Sequence, residues 1–235
     1  TEPGRIPFFE DFNENSADDF EVRDGSWTVD SQRLVGEADE GEWAITTIDL
    51  VDAIPAKYKV GLTVNVPESE SGMHKNAFGV FEYVDADNYK VFGTYLAQNK
   101  WVISEVSDGE LTELVSATMD LSIDTNYQVE LEVDEKNVYL RVDGELLTET
   151  EFNEVPNGGK IGLATSNAKA IFDNVSIVEV LPSPDAIDDA ATTLAGQVVT
   201  IAVLNNDVSV EGTTIHVSAA DGGEGSLSLV DSDED

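Results

Sequence analysis

Apolar side chains recur at every second position through much of this chain, and that period decides what it can fold into. In residues 57–66, Tyr58, Val60, Leu62, Val64 and Val66 alternate with Lys57, Lys59, Gly61, Thr63 and Asn65. Residues 127–134 repeat the pattern, with Tyr127, Val129, Leu131 and Val133 set against Gln128, Glu130, Glu132 and Asp134. Val138, Leu140 and Val142 then alternate with Asn137, Tyr139 and Arg141. Successive side chains of a strand point to opposite faces, so each segment predicts a strand with one buried and one wet face. Asp143-Gly144 and Asp108-Gly109 fall between such segments. Asp-Gly accepts the positive φ of a type I′ turn, so both predict tight hairpins. Asp24-Gly25 precedes a strand over 26–29, and Asn157-Gly158-Gly159 leads into one over 160–164. No amphipathic helix competes; over 186–195, β-branched Ile187, Thr192 and Thr193 work against one. Many short strands with close turns predict an all-β, antiparallel β-sandwich.

The chain has 235 residues, enough for one large domain and a piece of another. The boundary falls at Leu181-Pro182-Ser183-Pro184, whose prolines make a stiff, extended linker. Residues 6–180 then form the main domain, 181–184 the linker and 185–235 a second, shorter segment. Hydrophobic residues make up 41% of the chain, which supports a substantial core. No run approaches the roughly 18 apolar residues of a membrane span, so membrane insertion is not expected. Thr1-Glu2-Pro3-Gly4 is a polar start without an apolar leader, as expected of a mature protein or an excised piece of a larger one.

Charge and cysteine content remove whole classes of function. The net charge is −36, from 12 basic and 48 acidic residues. Nucleic acid and anionic membrane surfaces call for clustered Lys and Arg, so neither is an expected partner. Most of the carboxylates read as a solvated acidic skin; a few could bind calcium. With no cysteine, disulfides, thiol catalysis and Cys-based zinc sites are excluded. His74 and His216 lie far apart and read as surface residues, leaving little basis for a His-based zinc site or a Ser-His-Asp triad.

Phe172, Val175 and Ile177 are all apolar, but at odd spacing. One regular strand cannot bury all of them, so a β-bulge near Asp173-Asn174 is predicted. Glu37, Asp39 and Glu42 have the Glu-x-Asp-x-x-Glu spacing of a paired-carboxylate glycosidase site. Their setting, Glu37-Ala38-Asp39-Glu40-Gly41-Glu42, reads instead as an acidic turn, and no catalytic residue is assigned.

The order of several short motifs resembles the concanavalin A-like lectin/glucanase superfamily. These are Phe8-Phe9-Glu10-Asp11-Phe12-Asn13, Asp19-Phe20, Gly25-Ser26-Trp27-Thr28-Val29 and Arg33-Leu34. Gly79-Val80-Phe81-Glu82-Tyr83-Val84-Asp85, Asn88-Tyr89-Lys90 and Lys100-Trp101 resemble laminin-G-like and keto-disaccharide-hydrolase-like domains. Those domains usually carry Arg at the place of Glu82 and often an aromatic at the place of Lys90. Ile171-Phe172-Asp173-Asn174-Val175-Ser176-Ile177 resembles their last strand. The resemblance implies a jelly-roll β-sandwich. The second segment has Asp185, Asp188, Asp189 and Gly196, an apolar stretch over 199–204, and Asn205-Asn206-Asp207. It resembles the start of a cadherin-like bacterial immunoglobulin-type repeat, a partial second β-sandwich module.

The resemblance implies a structural Ca²⁺ that ties the first strand to the last, held by Asp173 with Glu10, Asp11 and the carbonyl of Gly36. The alternative for Asp173 is a turn residue bonded to its own backbone. Sugars bind aromatic platforms flanked by hydrogen-bonding groups. With Phe81 taken as core, Glu82 falls on the other face, and Lys90 and Phe92 form a second row. Trp43, Tyr95, Trp101 and Arg141 complete the candidate set. The competing reading places Trp27, Trp101 and most phenylalanines in the core. The function implied is a non-catalytic, calcium-stabilised carbohydrate-binding module that holds a multidomain, secreted or cell-surface bacterial protein on a polysaccharide or other glycan. Further modules of the same polypeptide would be its neighbours. A glycoside hydrolase and a structural spacer in an adhesin are the alternatives.

Overall fold

The computed structural model describes residues 4–68, 73–181 and 197. The compact unit they define ends at Val180. The linker at 182–184 and the cadherin-like segment predicted over 185–235 lie outside the described residues, Gln197 apart.

Among the described residues the fold is an all-β sandwich of two sheets. The strands are β1 (Phe8–Glu10), β2 (Phe20–Asp24), β3 (Ser26–Asp30), β4 (Arg33–Glu37), β5 (Trp43–Ile48), β6 (Lys57–Asn65), β7 (Asn76–Asp85), β8 (Asn88–Tyr95), β9 (Lys100–Ser107), β10 (Glu110–Thr118), β11 (Asn126–Asp134), β12 (Asn137–Val142), β13 (Glu145–Glu151), β14 (Lys160–Ser166) and β15 (Lys169–Glu179). One sheet is eight-stranded, in the order β13-β12-β11-β6-β15-β4-β3 with β1 also paired to β15. The other is seven-stranded, in the order β10-β9-β8-β7-β14-β5-β2. All pairings between these strands are antiparallel.

The alternation read from the sequence sets the faces. Tyr58, Val60, Leu62 and Val64 of β6 and Val129, Leu131 and Val133 of β11 point inward. They meet Phe81, Phe92, Trp101, Ile103 and Leu163 from the seven-stranded sheet in one core. The predicted hairpins form with positive φ at both turn residues: 50° and 85° at Asp143-Gly144, 51° and 78° at Asp108-Gly109. Asp24-Gly25 behaves differently. It passes the chain from β2 in one sheet to β3 in the other.

The predicted bulge in β15 is present. Its register against β6 shifts between Asp173 and Ser176, and Asn174 takes φ 50°. The extra residue lets Phe172, Val175 and Ile177 all enter the core despite their spacing. The first and last strands meet as expected, with Phe8 opposite Ile177 and Glu10 opposite Val175.

A second bulge, in β7, changes the reading of that strand. Its register against β8 shifts after Phe81, and Glu82 takes φ 50°. Phe81 stays in the core, but Tyr83 moves to the opposite face, beside Val80 and Phe78.

Candidate functional site

The seven-stranded sheet is apolar on both faces. Its inner face joins the core between the sheets. Its outer face carries a separate cluster of Ile45, Phe78, Val80, Tyr83, Tyr89, Val91, Val102, Val106 and Ala164, against which Trp43 and Tyr95 pack. Every member comes from β5, β7, β8, β9 or β14, and none from the opposing sheet. Strand register explains the gathering. Val91 lies opposite Val80, Phe78 opposite Ala164, and Ala164 opposite Ile45, so their side chains share one side.

The rings of this face touch in sequence. Tyr95 meets Phe78 edge-on at 5.1 Å between centroids, and Phe78 lies 5.9 Å from Trp43. Trp43 is 5.8 Å from Tyr89, and Tyr89 is 5.8 Å from Tyr83. The Arg23 guanidinium covers the far end, 5.8 Å from the Tyr83 centroid. Phe78, Tyr83 and Tyr89 are buried, whereas Trp43 and Tyr95 are half-buried. The hydroxyls of Tyr83, Tyr89 and Tyr95 and the Trp43 indole N–H take part in no hydrogen bond among the described residues. The result is a packed aromatic cluster in which Trp43 and Tyr95 are the rings that reach solvent.

Among the described residues, the cations Arg23, Lys160 and Lys100 on this face are engaged by carboxylates. Arg23 bonds Glu21 at 2.5 Å and donates to Thr47 Oγ1 at 3.0 Å. Lys160 lies 3.5 Å from Glu21 and 3.4 Å from Asp49. Lys100 pairs with Glu113 at the Tyr95 end. Burial raises the pKa of Tyr83, Tyr89 and Tyr95. Neighbouring carboxylates add to the rise: Asp85, Asp24 and Glu21 at Tyr83, Asp24 and Asp87 at Tyr89, Glu113 at Tyr95. Arg23 acts in the opposite sense, at Tyr83.

The residues predicted from sequence divide among different surfaces. Trp43 and Tyr95 belong to the aromatic face. Phe92 and Trp101 do not, since both belong to the core between the sheets, where they are fully buried. Phe92 sits opposite Gly79 and Trp101 opposite Thr94, on the inward side of β8 and β9. Glu82 does not reach the outer face. Its carboxylate bonds Lys90 at 2.5 Å, and Lys90 is also 3.1 Å from Glu105. Lys90 lies opposite Phe81 on the inward side, with its ammonium 5.2 Å from the Phe152 ring centroid. Burial disfavours the Lys90 charge, but the carboxylates of Glu82 and Glu105 outweigh it and hold its pKa above the ordinary value. This is a satisfied ion cluster at the margin of the core. Arg141 lies on the eight-stranded sheet, opposite Glu130 and 3.6 Å from Glu132.

The proposed calcium ligands lie at the end of β1 (Glu10, with Asp11 just after it), on β4 (Gly36) and on β15 (Asp173). Glu10 and Asp11 line a groove with Glu14, Ser16 and Asn174, beside the β15 bulge. Glu10 accepts the Phe12 N–H at 2.5 Å, and Asp11 accepts the Asn13 N–H at 3.1 Å and its side-chain amide at 2.6 Å. Asp173 accepts the Asn174 N–H at 2.8 Å, the backbone-bonded alternative. Gly36 is elsewhere on β4, opposite Ala170, and a Cβ there would lie 2.7 Å from the Trp27 ring. Among the described residues no group of three or more His, Asp or Glu is arranged to hold a metal ion. Glu37, Asp39 and Glu42 border a turn, closed by a 3.0 Å bond from the Glu42 N–H to the Asp39 carbonyl.

Phe78, Tyr83, Tyr89 and Arg23 were not singled out from the sequence. A signal existed: Ala77, Phe78, Val80 and Phe81 are apolar at both parities, the pattern of a strand covered on both faces.

No family model matches the chain, and no curated protein matches it. Solved structures match it in fold. The carbohydrate-binding module CBM66 from Bacillus subtilis superposes with TM-score 0.61 at 14% identity, covering 68% of this chain and 96% of that one. A Bacillus subtilis protein of unknown function with a galectin-like fold gives TM-score 0.58 at 14% identity, over 76% and 97% of the two chains. The exoplasmic/lumenal domain of VIP36, bound to Ca²⁺ and Man3GlcNAc, gives TM-score 0.57 at 11% identity, over 74% and 89%. The shared architecture is the two-sheet sandwich of concanavalin A-like lectins and galectins.

Proposed function

We propose that the outer face of the seven-stranded sheet binds a glycan, and that this sandwich is a non-catalytic carbohydrate-binding module. One observation carries the reading. Trp43, Phe78, Tyr83, Tyr89 and Tyr95 lie together on a sheet face that takes no part in the core between the sheets. A sheet face outside the core ordinarily turns polar side chains outward, so an aromatic cluster there, with Phe78, Tyr83 and Tyr89 buried and Trp43 and Tyr95 half-buried at its border, needs another explanation. Sugar rings supply one: their C–H faces pack on aromatic rings, while their hydroxyls bond to margin donors such as the tyrosine O–H and indole N–H groups.

The named neighbours support this assignment, since one is a carbohydrate-binding module and another holds a mannose-containing glycan. In the same reading the module acts outside the cell, where polysaccharides are met, as part of a longer polypeptide with further modules. Isothermal titration against a panel of soluble plant and marine polysaccharides tests the proposal, with Trp43→Ala as the control. Binding by the parent protein that the variant loses is the expected result. Binding that survives in Trp43→Ala would move the site elsewhere, and no binding to any polymer would leave a spacer as the better reading.

A further inference from the structure

We infer that the glycan recognised on this face is an uncharged polysaccharide, and that carboxylated or sulfated polymers are excluded from it. The inference rests on the assignment of the aromatic face to sugar binding and names the class of sugar.

An anionic sugar needs a cation that can turn to it, most often an Arg or Lys able to bond carboxylate or sulfate oxygens. Arg23, Lys100 and Lys160 border the aromatic rings, and each is already neutralised. Arg23 is bonded to Glu21, Lys160 lies between Glu21 and Asp49, and Lys100 is bonded to Glu113. To release one of them, an incoming anion would have to displace a protein carboxylate and leave it unpaired beside the ligand.

Further acids surround the tyrosines. Asp24 lies opposite Ile45 at the end of β2, the edge strand beside the aromatic cluster. Asp85 and Asp87 stand at the β7–β8 turn next to Tyr83 and Tyr89. The same potential opposes ionisation of the phenols, while Arg23 acts the other way at Tyr83. Like charges facing across a binding surface cost affinity, whereas hydroxyls and ring C–H groups meet no such penalty.

The whole chain also carries −36, so repulsion of anionic polymers could arise from global charge rather than from this face. Salt separates the two. At about 0.5 M sodium chloride the screening length falls to about 4 Å, which removes the long-range field and leaves close contacts.

The full chain would be titrated calorimetrically with laminarin, galactomannan, arabinoxylan and inulin as uncharged probes, and with alginate, polygalacturonate and carrageenan as anionic ones. Each would be measured at about 20 mM and about 0.5 M sodium chloride. At least one uncharged polymer should bind with an affinity that salt changes by less than about twofold. Anionic polymers should remain roughly tenfold or more weaker even at the higher salt. The Glu21→Gln/Glu113→Gln double variant frees Arg23 and Lys100, and should narrow that gap by roughly threefold or more. An anionic polymer bound as tightly as an uncharged one, and lost in Trp43→Ala, overturns the inference and leaves the sugar-binding face standing. A gap unchanged in the double variant overturns it too, by assigning exclusion to the rest of the chain. Silence toward both sets overturns the sugar assignment and this inference with it.

Discussion

Trp43 stands over Tyr89 edge to face, with ring centroids 5.8 Å apart and planes at 84°, on the outer surface of the seven-stranded sheet. Trp101 makes a similar edge contact with Tyr127, at 5.8 Å and 76°, inside the core. On the proposed reading, the same geometry serves ligand contact at Trp43 and packing at Trp101. Trp43→Ala should therefore cost glycan affinity roughly tenfold or more while leaving a folded sandwich. Trp101→Ala should cost about 3–5 kcal/mol of stability, as removal of a fully buried tryptophan does. Paired urea titrations and binding isotherms check this. Equal stability losses in the two variants would contradict the division of roles.

Phe92 lies flat against Gly79. A Cβ built on Gly79 would come within 2.2 Å of the Phe92 ring, so the glycine exists to seat it. Gly79→Ala should destabilise by about 1–3 kcal/mol through overpacking. Phe92→Leu made in the same chain should recover part of the loss, because the clash partner is gone. A double-mutant cycle on the denaturation free energies measures the coupling. Strict additivity would mean the ring and the glycine do not interact as described.

Much of the fold was legible because alternation, turn chemistry and odd spacing are local. Phe172, Val175 and Ile177 announce a bulge because no regular strand can bury them all. The β7 bulge gives no such sign. Phe81, Glu82 and Tyr83 alternate normally in sequence, and only pairing with β8 and β14 reveals that Glu82 is the extra residue. The misplacement of Glu82 follows from that one hidden residue. Phe92 and Trp101 fail for a different reason. In strands that are apolar at both parities, a side chain's type does not say which face it takes, and only strand register decides. Trp43's place outside the core between the sheets follows from its position beside an acidic turn at a strand start, where an aromatic has less reason to be core.

Asn174 carries the β15 bulge at φ 50° and is exposed. Asn tolerates this left-handed conformation, and a β-branched residue does not. Asn174→Gly should fold with stability within about 0.5 kcal/mol of the parent, and Asn174→Val should lose about 1–2 kcal/mol. Deleting Asn174 should be far worse, since it moves Val175 and Ile177 out of the core or breaks the pairing with β1 and β6. Melting temperatures of the series order the variants. A deletion as stable as the parent would show that the bulge is not what buries Val175 and Ile177.

Glu10 sits where β1 meets the β15 bulge, and its folded pKa is raised. Burial is the main cause, with the charges of Asp11 and Asp19 adding to it and the Phe12 N–H opposing. An acid with a raised folded pKa favours the folded state most when protonated. Its contribution is fully present below the unfolded value of about 4.3 and is lost as pH rises through the higher folded value. At pH 7 the ionised carboxylate is therefore a liability. Glu10→Gln keeps an oxygen to accept the Phe12 N–H and removes the charge. The variant should melt at a higher temperature than the parent at about pH 7, and the gap should close as pH falls to about 4. Scans of melting temperature against pH, run with EDTA so that divalent ions do not mask the charge, read the difference directly. A variant that melts below the parent at neutral pH would mean that the carboxylate's bond to Phe12 outweighs its burial and the repulsion from Asp11 and Asp19.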